Sequence, residues 1–86
     1  MKYIRKINPS EKERFFIKID AEHVSMFPKV KEDFTLIVKG KEFVVSIDRQ
    51  KRLWAFKFIS LLDFSYDSVF EIIKNDENIY HLKQIK

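Results

Sequence analysis

Residues 34–54 read FTLIVKGKEFVVSIDRQKRLW and contain the strongest structural signal in the chain. Two runs in which apolar residues alternate, 34–39 and 42–48, flank Gly40, and such alternation is typical of half-buried strands. Gly40 is the one glycine among 86 residues, and it supplies the positive φ angle that a tight hairpin needs. We therefore predict a β-hairpin over residues 34–48.

Alternation of the same kind recurs on both sides of this hairpin. It predicts strands at residues 3–7 and 15–19 before the hairpin and a short strand at 52–56 after it. Residues 69–74 and 79–85 flank the turn-forming sequence NDEN and predict a second hairpin.

Two segments depart from this alternation. Asp20 is a suitable N-cap for a short helix over 20–27, which Pro28 ends, and the apolar spacing in 56–64 predicts a second short helix. An isolated open sheet of so many strands would leave unpaired edges, and closure removes them. The sequence therefore predicts a mainly β fold, a six- to seven-stranded open pseudobarrel with two short helices.

The length of the chain suits one domain, residues 1–86. The net charge is +4, but it is unevenly distributed: residues 1–60 carry 14 Lys and Arg against 8 Asp and Glu, whereas residues 61–86 carry 3 against 5. A basic first two-thirds is typical of proteins that bind nucleic acid, an acidic protein or a membrane surface.

Several function classes lack their sequence signals. There is no cysteine for a thiolate metal site, and one glycine does not build a phosphate-binding loop. His23 and His81 have no neighbour at metal-ligand spacing, and the adjacent carboxylate pairs lie in predicted turns. No apolar run is long enough to span a bilayer or to form a signal peptide. We expect an intracellular protein of the cytoplasm or nucleoid, not an enzyme, with no catalytic residue, metal site, cofactor or membrane partner.

Two basic segments, 8–14 (NPSEKER) and 48–52 (DRQKR), are predicted to form loops between the strands. Each combines cations with a polar hydrogen-bonding side chain, a mixture that suits DNA, because Lys and Arg neutralise phosphates while Arg and Gln also reach base edges. A solvated surface turn is the alternative for each. The candidate contacts are Ser10, Lys12, Arg14, Arg49, Gln50, Lys51 and Arg52.

The order of these motifs resembles the B3-like pseudobarrel DNA-binding domain, a family that includes plant transcription-factor B3 domains and specificity domains of some bacterial restriction enzymes. The segment YIRKINPSEKERFFIKIDAEHVSMFP (3–28) is similar to the opening of that family, FTLIVKGKEFVVSIDRQKRLW (34–54) to its central hairpin, and YDSVFEIIKNDENIYHLKQI (66–85) to its closing hairpin. Asp67 and Ser68 stand where the family usually has Gly and Asp.

In that family two arms grip the major groove of double-stranded DNA. The resemblance implies an N-arm at residues 8–14, with Ser10, Lys12 and Arg14 as contacts, and a C-arm at residues 48–54. Trp54 would brace the base of the C-arm. The chain would then be a specificity or regulatory module with sequence preference, for example the non-catalytic recognition part of a restriction enzyme.

Two alternatives remain open at this stage. A small β-barrel that binds single-stranded nucleic acid or RNA would be favoured if Phe16, Tyr3 and Tyr80 were exposed on one sheet face. A protein-interaction module with an acidic partner would also use a basic surface. The oligomeric state is not indicated by the sequence.

Overall fold

The computed structural model describes residues 1–86 and is mainly β, with seven strands, one short α-helix and two 3₁₀ helices. The strands are β1 (Lys2–Lys6), β2 (Phe16–Lys18), β3 (Phe34–Val38), β4 (Lys41–Val45), β5 (Arg52–Trp54), β6 (Val69–Asp76) and β7 (Ile79–Gln84). The helix is α1 (Pro9–Arg14), and the 3₁₀ helices span Val24–Met26 and Ile59–Leu61. The predicted fold class, a seven-stranded open pseudobarrel, is confirmed. No helix is long and apolar enough to cross a membrane.

Five strands form a mixed sheet in the order β1-β6-β7-β3-β4, and β2 pairs with β5 in a separate antiparallel ribbon. Only β3 and β7 are parallel. Both predicted hairpins are present. The β3–β4 turn has φ of 50° at Lys39 and 80° at Gly40, the pattern of a type I′ turn, and Asn78 with φ 62° closes β6–β7.

The core lies between the inner face of the five-stranded sheet and the inner side of the β2–β5 ribbon. Alternate residues of each strand enter it, so that Leu36 of the sheet and Ile17 and Leu53 of the ribbon are fully buried. The buried phenol of Tyr80 donates to the carbonyl oxygen of Met26 at 2.7 Å, which fastens the first 3₁₀ helix to the sheet. Large aromatic side chains dominate the rest of the core: Tyr3, Phe27, Phe34, Phe58, Phe64 and Phe70.

The two predicted helices are shorter than the sequence indicated. Only Val24–Met26 is helical within 20–27, and only Ile59–Leu61 within 56–64. The N-cap of the first 3₁₀ helix is His23 and not the predicted Asp20, whose carboxylate accepts from the backbone N–H of His23 at 3.1 Å in the turn before the helix. Phe27 is extended, because the ring of the following proline disfavours the helical conformation at the residue before it.

Residues 8–14, predicted to form a loop, form helix α1 instead. Asn8 is the N-cap and accepts from the backbone N–H of Glu11 at 2.8 Å, while the Glu11 carboxylate accepts from the backbone N–H of Asn8 at 3.1 Å. Pro9 occupies the first helical position, where its missing N–H costs nothing. This reciprocal capping stabilises a six-residue helix that ends at Phe15, with φ 61°.

Candidate functional site

The β2–β5 ribbon connects the two basic segments. Phe16 lies opposite Trp54 and Lys18 lies opposite Arg52. Helix α1 leads into β2 and the turn 48–51 leads into β5, and because the strands are antiparallel, these segments lie at opposite ends of the ribbon. The ribbon is short, with about 7 Å between the first and last residue of each strand. Side chains from both ends can therefore meet over its outer face.

Helix α1 is held in place by the carboxylate of Glu11, which is fully buried. It accepts from Arg5 in β1 at 2.9–3.2 Å and from the backbone N–H of Lys18 in β2 at 2.7 Å. Hydrogen bonding to Glu11 raises the pKa of Arg5 above its ordinary value. Glu11 therefore joins α1 to both neighbouring strands.

The polar side chains of α1 differ in their surroundings. Ser10 is exposed, and its hydroxyl forms no hydrogen bond within the chain. The Nζ of Lys12 lies 5.4 Å from the ring centre of Phe15 and 5.5 Å from that of Tyr66. The guanidinium of Arg14 lies over the β2–β5 ribbon. The cations of α1 therefore sit above aromatic rings at one end of the ribbon.

The turn 48–51 is organised by the carboxylate of Asp48. Its Oδ1 accepts from the backbone N–H groups of Gln50 and Arg52, both at 2.9 Å. Its Oδ2 accepts from Nε of Arg52 and from the indole Nε1 of Trp54, both at 2.8 Å. Partial burial opposes ionisation of Asp48, but these donors outweigh it and hold the pKa of Asp48 below its ordinary value. The turn is thus built around an ionised Asp48.

The other side chains of the turn are less constrained. Arg49 is exposed and forms neither an ion pair nor a side-chain hydrogen bond. Gln50 is exposed; its Oε1 accepts from Nη2 of Arg52, and its backbone carbonyl accepts from Nζ of Lys18. Lys51 adopts φ 62°, the left-handed conformation that reverses the chain. Within this segment the guanidinium of Arg49 and the ammonium group of Lys51 have no side-chain partner in the chain and are free to bind one.

Arg14 and Arg52, from opposite ends of the ribbon, converge on the aromatic pair Phe16 and Trp54. The Arg14 guanidinium is 5.9 Å from the Phe16 ring centre and 5.8 Å from that of Trp54, and the Arg52 guanidinium is 5.6 Å and 4.8 Å from the same rings. The rings of Trp54 and Phe56 are parallel within 7° and 5.6 Å apart. We call Arg14, Phe16, Arg52, Trp54 and Phe56 the ribbon cluster. It places two guanidinium groups within 6 Å of the same two aromatic ring centres.

The structure therefore joins some of the predicted contact residues and leaves others apart. Arg14, Arg52 and Trp54 meet in the ribbon cluster, Gln50 and Lys51 lie beside it in the turn, and Ser10, Lys12 and Arg49 lie outside it. Their contacts with DNA stay a prediction.

Sequence reasoning missed three residues that build this site: Glu11, Lys18 and Asp48. The spacing of Asn8 and Glu11 is a capping-box signal, and Asp48 begins a turn in the manner usual for aspartate. Lys18 has no such signal, because its hydrogen bond to the turn depends on the pairing of β2 with β5.

The aromatic residues that would favour single-stranded nucleic acid are not exposed. Tyr3 and Tyr80 are almost completely buried, and Phe16 retains 7% of its accessible surface. The Tyr3 phenol donates to the carbonyl of Lys18 inside the core. These three residues therefore do not form an exposed stacking platform. The structure thus removes this argument for a barrel that binds single-stranded nucleic acid.

No protein-family model matches the chain, and no curated protein matches it in sequence. Among solved structures, the fold is similar to the N-terminal domain of Helicobacter pylori LlaJI.R1, with a TM-score of 0.78 at 15% sequence identity. The likeness covers 100% of this chain and 88% of that chain. At this identity it shows a common fold.

Proposed function

We propose that the chain is a B3-like domain that binds double-stranded DNA in the major groove, with helix α1 and the turn 48–51 as its two arms. The observation that carries this proposal is the position of two basic segments at opposite ends of one rigid ribbon. A duplex lying across the outer face of the ribbon would meet both segments at once. Such a two-sided grip matches the N-arm and C-arm of the family that the sequence resembles.

Electrostatics support this assignment. The outer face of the ribbon and its two ends carry Lys12, Arg14, Lys18 and Arg49. Of the carboxylates on these segments, Glu11 pairs with Arg5, Asp48 pairs with Arg52, and Glu13 is the one without a cationic partner. The uncompensated charge on this side is therefore positive. Phosphate contacts would supply most of the affinity, as in other DNA-binding proteins.

The contacts would divide into two kinds. Ser10 and Lys12 of α1 and Lys51 of the turn would bind phosphates, because they end in small donor groups. Arg49 and Gln50 would contact base edges, because Arg and Gln form paired hydrogen bonds with guanine and adenine. Arg14, Arg52 and Trp54 would support the arms from the ribbon cluster.

The fold shared with the N-terminal domain of Helicobacter pylori LlaJI.R1 supports a role as a DNA-recognition module. In this role the domain would select a site without cleaving it. The chain alone would then produce no Mg²⁺-dependent cutting of plasmid DNA.

A salt titration tests the function directly. Fluorescence anisotropy measures the binding of a labelled duplex, and this binding should weaken as the salt concentration rises. A plot of log affinity against log salt should have a slope of about −0.9 for each phosphate contacted. A single strand of the same length serves as competitor and should displace the duplex poorly. An affinity that does not respond to salt would contradict DNA binding and favour a protein partner. Efficient displacement by the single strand would contradict duplex recognition.

Selection of bound duplexes from a random pool tests the second part of the proposal, sequence preference. A short enriched motif is expected. A pool that stays random after repeated rounds would reduce the function to non-specific duplex binding through phosphates.

A further inference from the structure

A groove of about 330 Å³ opens between the free edge of strand β4 and the segment that follows β5. Trp54 and Phe56 form one wall, and Val44 and Val45 of β4 form the other. The volume falls at the lower end of the range for small-ligand sites, and apolar walls with a few polar groups are typical of such sites. None of the arm contacts proposed above uses this groove.

The aromatic wall belongs to the ribbon cluster. Trp54 lies between Arg52, two residues before it, and Phe56, two residues after it, so that the three side chains form a ladder. Phe56 is at the end of this ladder, where it also has an edge contact with Phe15 (ring centres 6.1 Å apart), and 61% of its surface stays exposed. Its exposed surface is what a further planar ring would need in order to extend the stack.

Three polar side chains line the same groove: Asp33, Ser46 and Lys57. The Asp33 carboxylate forms no ion pair, and neither Asp33 nor Ser46 forms a side-chain hydrogen bond within the chain. Lys57 uses its Nζ to donate to the backbone carbonyl of Val44 at 2.6 Å, and an ammonium group has two further donors. The groove therefore offers an anionic acceptor, a hydroxyl group and a cation beside an aromatic wall.

The bond from Lys57 also decides between two kinds of occupant. An extended peptide could add a strand to the free edge of β4, and this mode of binding requires free backbone groups along that edge. The carbonyl of Val44, in the groove wall, is already occupied by Lys57. The edge is thus blocked for strand addition at this point, while the aromatic wall stays open.

We propose that this groove binds a single unpaired nucleobase that carries an exocyclic amine. The base would stack on Phe56 and donate its amine hydrogens to Asp33, and Lys57 would bind the adjoining phosphate. Stacking on an aromatic ring, one hydrogen-bonded edge and a backbone cation are the three elements by which proteins hold an unpaired base. The inference rests on the proposed DNA-binding function, which would bring the strand to the groove.

Mononucleotides test the groove without any duplex. Trp54 is the one tryptophan of the chain, so its indole Nε1–H gives a single resonance in a nitrogen–proton NMR spectrum. Titration with dAMP or dCMP should shift this resonance and the amides of Val44 and Ser46. Deoxyribose 5-phosphate has the same phosphate without a base, so it should leave the Trp54 indole resonance unchanged even where its phosphate contacts Lys57. The proposal would be overturned if the nucleotide and deoxyribose 5-phosphate caused equal shifts, or if neither caused any. Shifts produced by an apolar peptide but not by nucleotides would also overturn it.

A bulged duplex tests the groove in the context of DNA. A duplex with one unpaired adenine should bind about tenfold more tightly than the same duplex with an abasic bulge, the gain usual for one stacked base. Val44→Trp should fill the groove and remove that difference. Ile4→Trp is the matched control, since Ile4 is also exposed (49% against 55% for Val44) and lies on β1, the opposite edge of the sheet.

Ser46→Leu is a second groove-filling variant, needed if Val44→Trp does not fold. If a folded groove-filled variant still bound the adenine bulge more tightly than the abasic bulge, the inference would be overturned. A protein that binds paired duplex but does not prefer the unpaired adenine would overturn it while leaving the proposed function intact. Conversely, a groove that responds to dAMP in a protein that binds no duplex would support the groove and contradict the duplex function.

Discussion

The indole Nε1–H of Trp54 donates to Oδ2 of Asp48 at 2.8 Å, across the base of the turn 48–51. The same carboxylate accepts three hydrogen bonds from Gln50 and Arg52. One anion therefore organises a turn that carries three cations, of which Arg52 contacts it directly. The turn keeps a defined shape because its donors converge on a single acceptor group, and this shape is the premise of a rigid arm.

Removal of this acceptor should destabilise the protein. Asp48→Ala leaves the half-buried indole N–H and the Nε of Arg52 without their charged partner, and we expect the free energy of unfolding to fall by about 2 kcal/mol. Urea denaturation, monitored by circular dichroism, measures this decrease in the free energy of unfolding. Glu32→Ala removes an exposed carboxylate that forms no ion pair and is expected to change stability by less than about 0.5 kcal/mol. Equal midpoints for the two variants would contradict the role of Asp48.

The contribution of Asp48 should depend on pH. Its pKa in the folded protein is below that of the unfolded chain, so acid protonates the unfolded chain first. The stability that it contributes is present above about pH 4, the ordinary value for aspartate, and is lost as pH falls through the lower folded pKa. The difference in unfolding free energy between the wild type and Asp48→Asn should therefore shrink below about pH 4. A difference that stays constant from pH 7 to pH 3 would exclude this linkage.

The stability of the protein should depend on Glu11 of helix α1 far more than on Glu13 of the same helix. Glu11→Ala removes the partner of the half-buried Arg5 and the acceptor for the backbone N–H of Lys18, and loss of one member of such a pair typically costs about 3 kcal/mol or more. Glu13 lies on the exposed side of the same helix, where it accepts from the Tyr66 phenol at 2.5 Å. Glu13→Ala should change the urea midpoint little. Similar midpoints for both variants would show that Glu11 is not the anchor.

Gly40 allows a clean measure of backbone strain. A Cβ atom added at this residue meets nothing within 4 Å, so the cost of Gly40→Ala comes from its φ of 80° alone. We expect a loss of about 1–2 kcal/mol, the usual cost of a left-handed conformation for a residue with a side chain. Thermal unfolding measures it. Lys39→Ala, at the neighbouring turn residue with φ 50°, replaces one non-glycine residue by another and should be close to neutral. A neutral Gly40→Ala would contradict the predicted backbone strain.

The sequence predicted the strands well because their signal is local. Alternation places Phe34, Leu36 and Val38 on one face, and all three are buried. Gly40 in turn marks the position of the hairpin. The pairing of β2 with β5 was harder to foresee, because the paired residues lie 34 to 38 positions apart along the chain, beyond the reach of a local pattern.

The sequence was less informative about the site for a similar reason. The wrong prediction of a loop at 8–14 overlooked that Asn8 and Glu11 have the spacing of a helix cap. That the Glu11 carboxylate would be buried against Arg5 depends on the tertiary arrangement of β1 and α1. The convergence of Arg14 and Arg52 on Trp54 likewise follows from the ribbon, not from any motif.

Arg49 and Arg52 should affect DNA binding in different ways. Arg49→Ala removes an exposed, unpaired guanidinium, so it should weaken duplex binding by about 1–3 kcal/mol and leave the urea midpoint unchanged. Arg52→Ala also removes the ion pair with Asp48, so it should lower both affinity and stability. The double variant should lose several kcal/mol of binding free energy. Lys83→Ala removes the same charge from the outer face of β7 and serves as the control.

Arg49→Lys then separates base contacts from phosphate contacts. Lysine keeps the charge and binds phosphate, but it cannot form the bidentate hydrogen bonds of a guanidinium with guanine. If Arg49 contacts a base edge, Arg49→Lys should bind a selected duplex nearly as weakly as Arg49→Ala while its affinity for random duplex stays close to that of the wild type. Full affinity for both duplexes would assign Arg49 to a phosphate, and full affinity of Arg49→Ala itself would remove this residue from the interface.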